Sequence, residues 1–167
     1  MTPTERTRAL TALGAVVGTL LKQRKETLAV AESSAGGLIN AAMVAVPGAS
    51  AYYLGGCVIY TSIGRAVLLG IADEDMKGIR SASEPFARLL ARRVRAKLGA
   101  TWGLSETGAS GPTGNRYGDA PGHACLAVAG ALEAAVTIET GSADREANMG
   151  AYAARALQLL EDCLRRA

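Results

Sequence analysis

The chain has 167 residues, 49% of them apolar and 20% charged, with a formal net charge of +3. That length fits one domain spanning residues 1–167. The composition excludes a disordered chain, and no apolar run approaches the roughly 20 residues that cross a bilayer.

The charge is too mild for the basic footprint of a nucleic-acid binder. Cys57, Cys125 and Cys163 are widely spaced, and His123 is the one histidine. That leaves no zinc pattern and no metal or other cofactor to expect. The cysteines read as reduced thiols, and the start lacks the charge pattern and cleavage site of a signal peptide. Both point to the cytoplasm.

In chain order, Thr2-Pro3-Thr4-Glu5 has the form of a capping box with proline at the first helical position. Leu10, Leu13, Val17, Leu20 and Leu21 follow at helical spacing. They predict an amphipathic helix within residues 1–25 that packs on the body or on a second subunit. Leu28–Ala31 is a short buried-strand candidate. The polar turn Glu32-Ser33-Ser34-Ala35-Gly36-Gly37 leads from it into a helix over 38–43, stopped by Pro47-Gly48. Cys57–Tyr60 is a second strand candidate, and a short helix over 63–69 ends at Gly70. Ser83 caps a helix that runs to Leu98 and stops at Gly99.

Trp102–Glu106 is a third strand, running into a Gly-rich loop from Thr107 to Asn115. Residues 124–128 and 134–138 predict a hairpin around Gly130. Asp144 to Arg166 closes the chain as a helix, with Met149, Tyr152, Ala156, Leu160, Cys163 and Leu164 on one stripe. Strands alternating with helices imply an α/β fold, a three-layer α/β/α sandwich. The terminal hairpin makes its mostly parallel sheet mixed. The two polar turns, 32–37 and 107–115, both follow strands. They are expected to face one crevice at the strands' carboxyl ends.

Several residues there suit chemistry. A serine hydroxyl at a strand-to-helix turn lies near backbone N–H groups that can hold a phosphate or an oxyanion; the plain alternative is a helix cap. Tyr60 and Arg65 flank another such turn. An arginine binds anions but gives up no proton near neutrality, and the plain alternative is a solvated surface pair. The loop after Thr107 lacks P-loop spacing. Arg145, at the start of the last helix, opposes the helix dipole. That conflict suits a phosphate ligand, or else Arg145 pairs with Asp144. His123 opens a predicted strand, where a structural role is commoner than acid–base work. Arg88, Arg92, Arg93, Arg95 and Lys97 read as the wet face of their helix.

Taken in order, Ala31-Glu32-Ser33-Ser34-Ala35-Gly36-Gly37, Val46-Pro47-Gly48-Ala49-Ser50-Ala51-Tyr52-Tyr53-Leu54-Gly55-Gly56, Tyr60, Leu68–Ile71, Ser83-Glu84, Leu98–Ala100, Thr107–Pro112 and Asp144-Arg145-Glu146 resemble a known family. It is the CinA C-terminal domain family of competence/damage-inducible proteins. The resemblance runs from about Glu26 to Leu164. It implies a three-layer α/β/α fold, commonly a homodimer. It also implies metal-free deamidation of nicotinamide mononucleotide (NMN) to nicotinate mononucleotide and ammonia. On that resemblance Ser33 is the nucleophile, Tyr60 and Thr107 are site residues, and Arg145 suits the 5′-phosphate. The two turns, with Ser34, Gly36, Gly37, Gly108 and Gly111, hold the substrate and its oxyanion.

The chain departs from the family pattern. Ser34-Ala35 replaces Cys-Thr, Arg65 replaces the lysine expected to assist proton transfer, and Glu106 replaces a small apolar residue. Glu32, Glu106, Asp119 and His123 are the groups able to supply a base, and Glu106, beside Thr107, is preferred. The leading reading is an amidohydrolase acting on a pyridine nucleotide. The alternatives are a catalytically silent nucleotide-binding or sensor homologue, motivated by Arg65 and Ala35, and a partner-binding module that dimerises through its first helix.

Overall fold

A computed structural model describes residues 2–167. Its first helix, α1 (Pro3–Arg24), begins as the capping box predicts. Thr2 Oγ accepts from the Glu5 N–H, and the Glu5 carboxylate accepts from the Thr2 N–H. The stripe it buries is Leu10, Gly14, Val17, Gly18 and Leu21. The glycines bring it close to its neighbours. A Cβ on Gly14 would sit 2.4 Å from the Ala42 carbonyl oxygen, and one on Gly18 would sit 2.7 Å from the Tyr52 ring. The stripe therefore packs on the body of the chain, one of the two places expected for it, with Leu13 and Leu20 only partly covered.

The strands are β1 (Leu28–Glu32), β2 (Tyr53–Val58), β3 (Trp102–Ala109), β4 (His123–Ala129) and β5 (Ala134–Glu139). They form one sheet in the order β2-β1-β3-β4-β5. β1 pairs in parallel with β2 and β3, while β4 runs antiparallel to both β3 and β5. The sheet is mixed as expected, but "mostly parallel" is loose: two of its four pairings are parallel. On one face lie α1, α2 (Leu38–Val44) and α5 (Arg145–Arg166); on the other lie α3 (Ser62–Leu69) and α4 (Glu84–Leu98).

Strand β1 is buried at every position. Its alternate residues feed both cores, Val30 toward α1, α2 and α5, and Ala29 and Ala31 toward α4. Each Leu, Ile or Val buried in this way contributes roughly 1.5–3 kcal/mol. Trp102 is also fully buried, and its indole N–H donates to Glu26 at 2.6 Å.

Two expected strands shift. β2 starts at Tyr53 rather than Cys57, because Gly55 and Gly56 are strand residues here. A Cβ on Gly56 would sit 1.9 Å from the Asn40 side chain and 2.4 Å from the Val30 carbonyl oxygen. Ile59 and Tyr60 leave the sheet, and Thr61 caps α3. Strand β3 runs on to Ala109, where it pairs with His123, so Thr107, Gly108 and Ala109 belong to the sheet and the loop starts after them.

Leu54 and Val58 on the β2 edge and Ile63 and Val67 on α3 are exposed. Among the described residues no helix is long and apolar enough to cross a membrane.

Candidate functional site

The carboxyl ends of β1, β2 and β3 meet at one edge, and two buried carboxylates organise the turn there. Glu32 ends β1, and its oxygens accept from the N–H groups of Gly37 (3.0 Å), Ile39 (3.1 Å) and Asn40 (2.7 Å) and from the Asn40 amide (2.6 Å). Glu106, on β3, reaches across. Its Oε2 accepts from the N–H groups of Ser33 (3.1 Å) and Ala35 (2.7 Å), and its Oε1 accepts from the Ser34 hydroxyl. The protein thus fills the N–H groups of Ser33, Ala35, Gly37, Ile39 and Asn40 with its own carboxylates. These groups are not open to a substrate anion, contrary to the expectation from the turn's sequence.

Both acids are lifted above the ordinary carboxyl value. Burial is the main cause for each, opposed by the hydrogen bonds just described. Glu106, fully buried and facing the charge of Glu32, is pushed up to about 7.

Two adjoining cavities of about 290 and 220 Å³ open above this turn. Ser33, Arg65, Phe86 and Thr107 line the larger, while Ser34, Ser110, Gly111 and Arg145 line the smaller. Tyr60, Gly108 and Asn115 belong to both, so the two form one cleft. The two polar turns share that cleft, as their order along the chain suggested.

The remaining site candidates are distributed as follows. Arg145 donates to the Tyr60 hydroxyl (2.8 Å) and to the Gly111 carbonyl (2.6 Å). Asp144 instead caps α5 through the Ala147 N–H, so a simple Asp144–Arg145 pair is not what is built. Arg65 pairs with Asp73, and its Nε is buried without a partner among the described residues. Thr107 is buried, and its hydroxyl oxygen accepts from the Ala82 N–H at 3.3 Å. Gly36 and Gly37 take positive φ, the geometry of the turn itself.

Of the four possible bases, Glu32 is consumed by the α2 end. Asp119 forms a two-pronged pair with Arg80. His123 is held between Glu139 (2.5 Å) and the Ala82 carbonyl (2.8 Å), which fits its structural reading. Ala82 itself sits at φ +53, a strained non-glycine geometry pinned by His123 and Thr107. Glu106 reaches the Ser34 hydroxyl, and takes the N–H of Ser33 rather than its hydroxyl.

The residue that sequence reasoning passed over is Asn115. Its side chain accepts from the N–H groups of Tyr117 (3.0 Å) and Asp119 (3.2 Å), an Asx turn that shapes the cleft wall. The Asn followed two residues later by Tyr-Gly-Asp was the available signal.

A family model described as the CinA C-terminal domain matches residues 10–164. The chain belongs to the CinA C-terminal domain family. A CinA-like protein of Prochlorococcus marinus (strain MIT 9313) is 41% identical over 118 residues, covering 71% of this chain and 28% of that protein. A CinA-like protein of Sulfurihydrogenibium sp. (strain YO3AOP1) is 46% identical over 99 residues, covering 59% and 25%. The chain thus spans about a quarter of the length of these curated relatives.

Among solved structures, a competence-damaged protein (CinA) superfamily protein of Klebsiella pneumoniae 700603 superposes with a TM-score of 0.88 at 23% identity, covering 95% of this chain and 99% of that one. The competence/damage inducible protein CihA of Agrobacterium tumefaciens gives 0.83 at 24% identity, covering 94% and 96%. At these identities the structural match establishes the CinA fold.

Proposed function

We propose that this CinA-family chain is an amidohydrolase that cleaves the carboxamide of a pyridine mononucleotide, NMN in the first instance, releasing ammonia and nicotinate mononucleotide. The observation that carries this reading is one cleft holding Ser33 at the end of β1 and, beside it, the Arg145 guanidinium steadied by Tyr60 and Gly111. Ser33 attacks the amide carbon. Arg145, a fixed cation with further donors, takes the 5′-phosphate. Because the N–H groups of Ser33, Ala35, Gly36 and Gly37 are already engaged, the oxyanion is left to the Ser34 N–H and the 108–111 segment. The homodimer implied by the resemblance belongs to the same proposal, and a strict monomer by light scattering at tens of micromolar removes it.

The test is ammonia and nicotinate mononucleotide release from NMN by the purified protein, with Ser33→Ala as control. Serine-dependent release is the expected result. A folded protein that binds NMN and releases nothing favours the second reading, a silent nucleotide binder. The observation behind that reading is Arg65, paired with Asp73 where the family pattern has a lysine.

A further inference from the structure

Glu106 is fully buried beneath the turn that presents Ser33, and it lines neither cavity of the cleft. Ser34 does line the smaller cavity, and its hydroxyl hydrogen bonds Glu106 Oε1. The two carboxylate oxygens have different work. Oε2 accepts from two backbone N–H groups, which stay donors whatever the state of the acid. Oε1 meets a hydroxyl, which both donates and accepts. With Glu106 ionised, Ser34 donates to it. With Glu106 protonated on Oε1, the carboxyl donates to Ser34, and the serine's own hydrogen is released toward the cavity.

We propose that Glu106 and Ser34 form a proton relay into the cleft, in which Glu106 holds the proton and Ser34 passes it on. The inference rests on the amidohydrolase reading given above. It supplies what that reading lacks, since the arginine in the larger cavity accepts no proton.

The transfers balance. As the Ser33 oxygen bonds to the amide carbon, its proton passes through a water of the cleft to Ser34, and the Ser34 proton passes to Glu106. As the C–N bond breaks, the proton returns by the same path to the leaving nitrogen, giving ammonia and an acyl-serine. Water then adds to the ester, its proton takes the same route inward, and that proton returns to the Ser33 oxygen as the acyl group leaves. Glu106 ends ionised, as it began, and works through Ser34 without touching substrate.

A midpoint of about 7 keeps both states populated near neutrality. The titratable groups facing Glu106 are Glu32 from β1 and Tyr152 from α5. Neither is a cation that would fix it as a carboxylate.

The experiment follows the Glu106 side-chain carboxyl by carbon-13 NMR from about pH 5 to about pH 9, with and without NMN, alongside turnover. In the native chain the carboxyl should titrate near 7. Ser34→Ala should raise that midpoint by removing a hydrogen bond to the carboxylate. The same variant should lose about 100-fold or more in turnover while binding NMN within about threefold of the native affinity. Ser34→Cys, which keeps a group able to pass a proton, should recover part of the rate. Glu106→Gln should lose turnover and the inflection near neutrality.

Native-like turnover in Ser34→Ala, or an inflection that survives in Glu106→Gln, overturns the relay. If the native chain releases no ammonia from NMN, the amidohydrolase reading fails and the relay is decided by NMR alone. NMN should then move the Glu106 titration in the native chain and not in Ser34→Ala; an equal shift in both overturns it.

Discussion

Replacing Glu106 with Gln tests the burial of its charge through stability as well as rate. A carboxyl that titrates near 7 in the folded chain, against 4.5 ordinarily, holds its proton more tightly when folded. The sign follows from linkage. The stabilising effect is fully present below about pH 4.5, where the acid is protonated in both states. It is lost as pH rises through about 7, where the folded chain must carry the buried charge. At roughly 1.4 kcal/mol per tenfold, the loss is about 3 kcal/mol. Glutamine fits the same place. Its oxygen can accept from the Ser33 and Ala35 N–H groups and its amide can donate to Ser34, as the protonated acid would. Urea denaturation of both proteins at several pH values should therefore show Glu106→Gln gaining on the native chain as pH rises from about 5 to about 8. Parallel stability curves would refute the buried-charge argument.

Gly103→Ala should destabilise by about 1–3 kcal/mol in urea, because its Cβ would lie 2.1 Å from the Ala91 carbonyl oxygen of α4, a backbone atom that cannot rotate away. A loss below about 0.5 kcal/mol would mean that α4 shifts freely. Asp144→Ala removes the α5 cap and should cost about 1 kcal/mol, measured the same way; Asp144→Asn should restore most of it. Arg145→Ala should weaken NMN by about 10- to 100-fold in calorimetry while leaving the riboside, which lacks the phosphate, nearly unchanged. Equal losses for both ligands would move the phosphate away from Arg145.

Much of the fold was legible because its punctuation is local. The Thr2 capping box, the Ser83 cap and the glycines at 70 and 99 mark helix ends through contacts within a few residues. Strand limits depend on partners, and there the reading slipped. The strand candidate at Cys57 stopped short of Gly55 and Gly56, and only the packed structure shows Asn40 occupying the space a side chain on Gly56 would take. Gly108 looks like a loop until β4 arrives beside it. The cleft followed from the order of strands and turns, since both polar turns follow parallel strands. The role of Glu106 was not legible, because it depends on which way side chains point across the sheet. The residue chosen as a base for its sequence neighbour, Thr107, hydrogen bonds Ser34 on another strand's turn. Equally hidden was the filling of the turn's N–H groups by Glu32 and Glu106, a contact more than 70 residues distant for the second acid.

Those two internal carboxylates have a consequence for how a ligand is received. In many sites an anion must arrive before a glycine-rich turn takes its final shape, and the ordering entropy is subtracted from affinity. Here the chain carries its own anions into the turn, so the backbone around Ser33 is ordered before any ligand comes. Slow amide exchange at Ala35, Ile39 and Asn40 in the unliganded protein would be the visible sign. Association should then proceed at the pace of diffusion and orientation, with no slow closing step ahead of it.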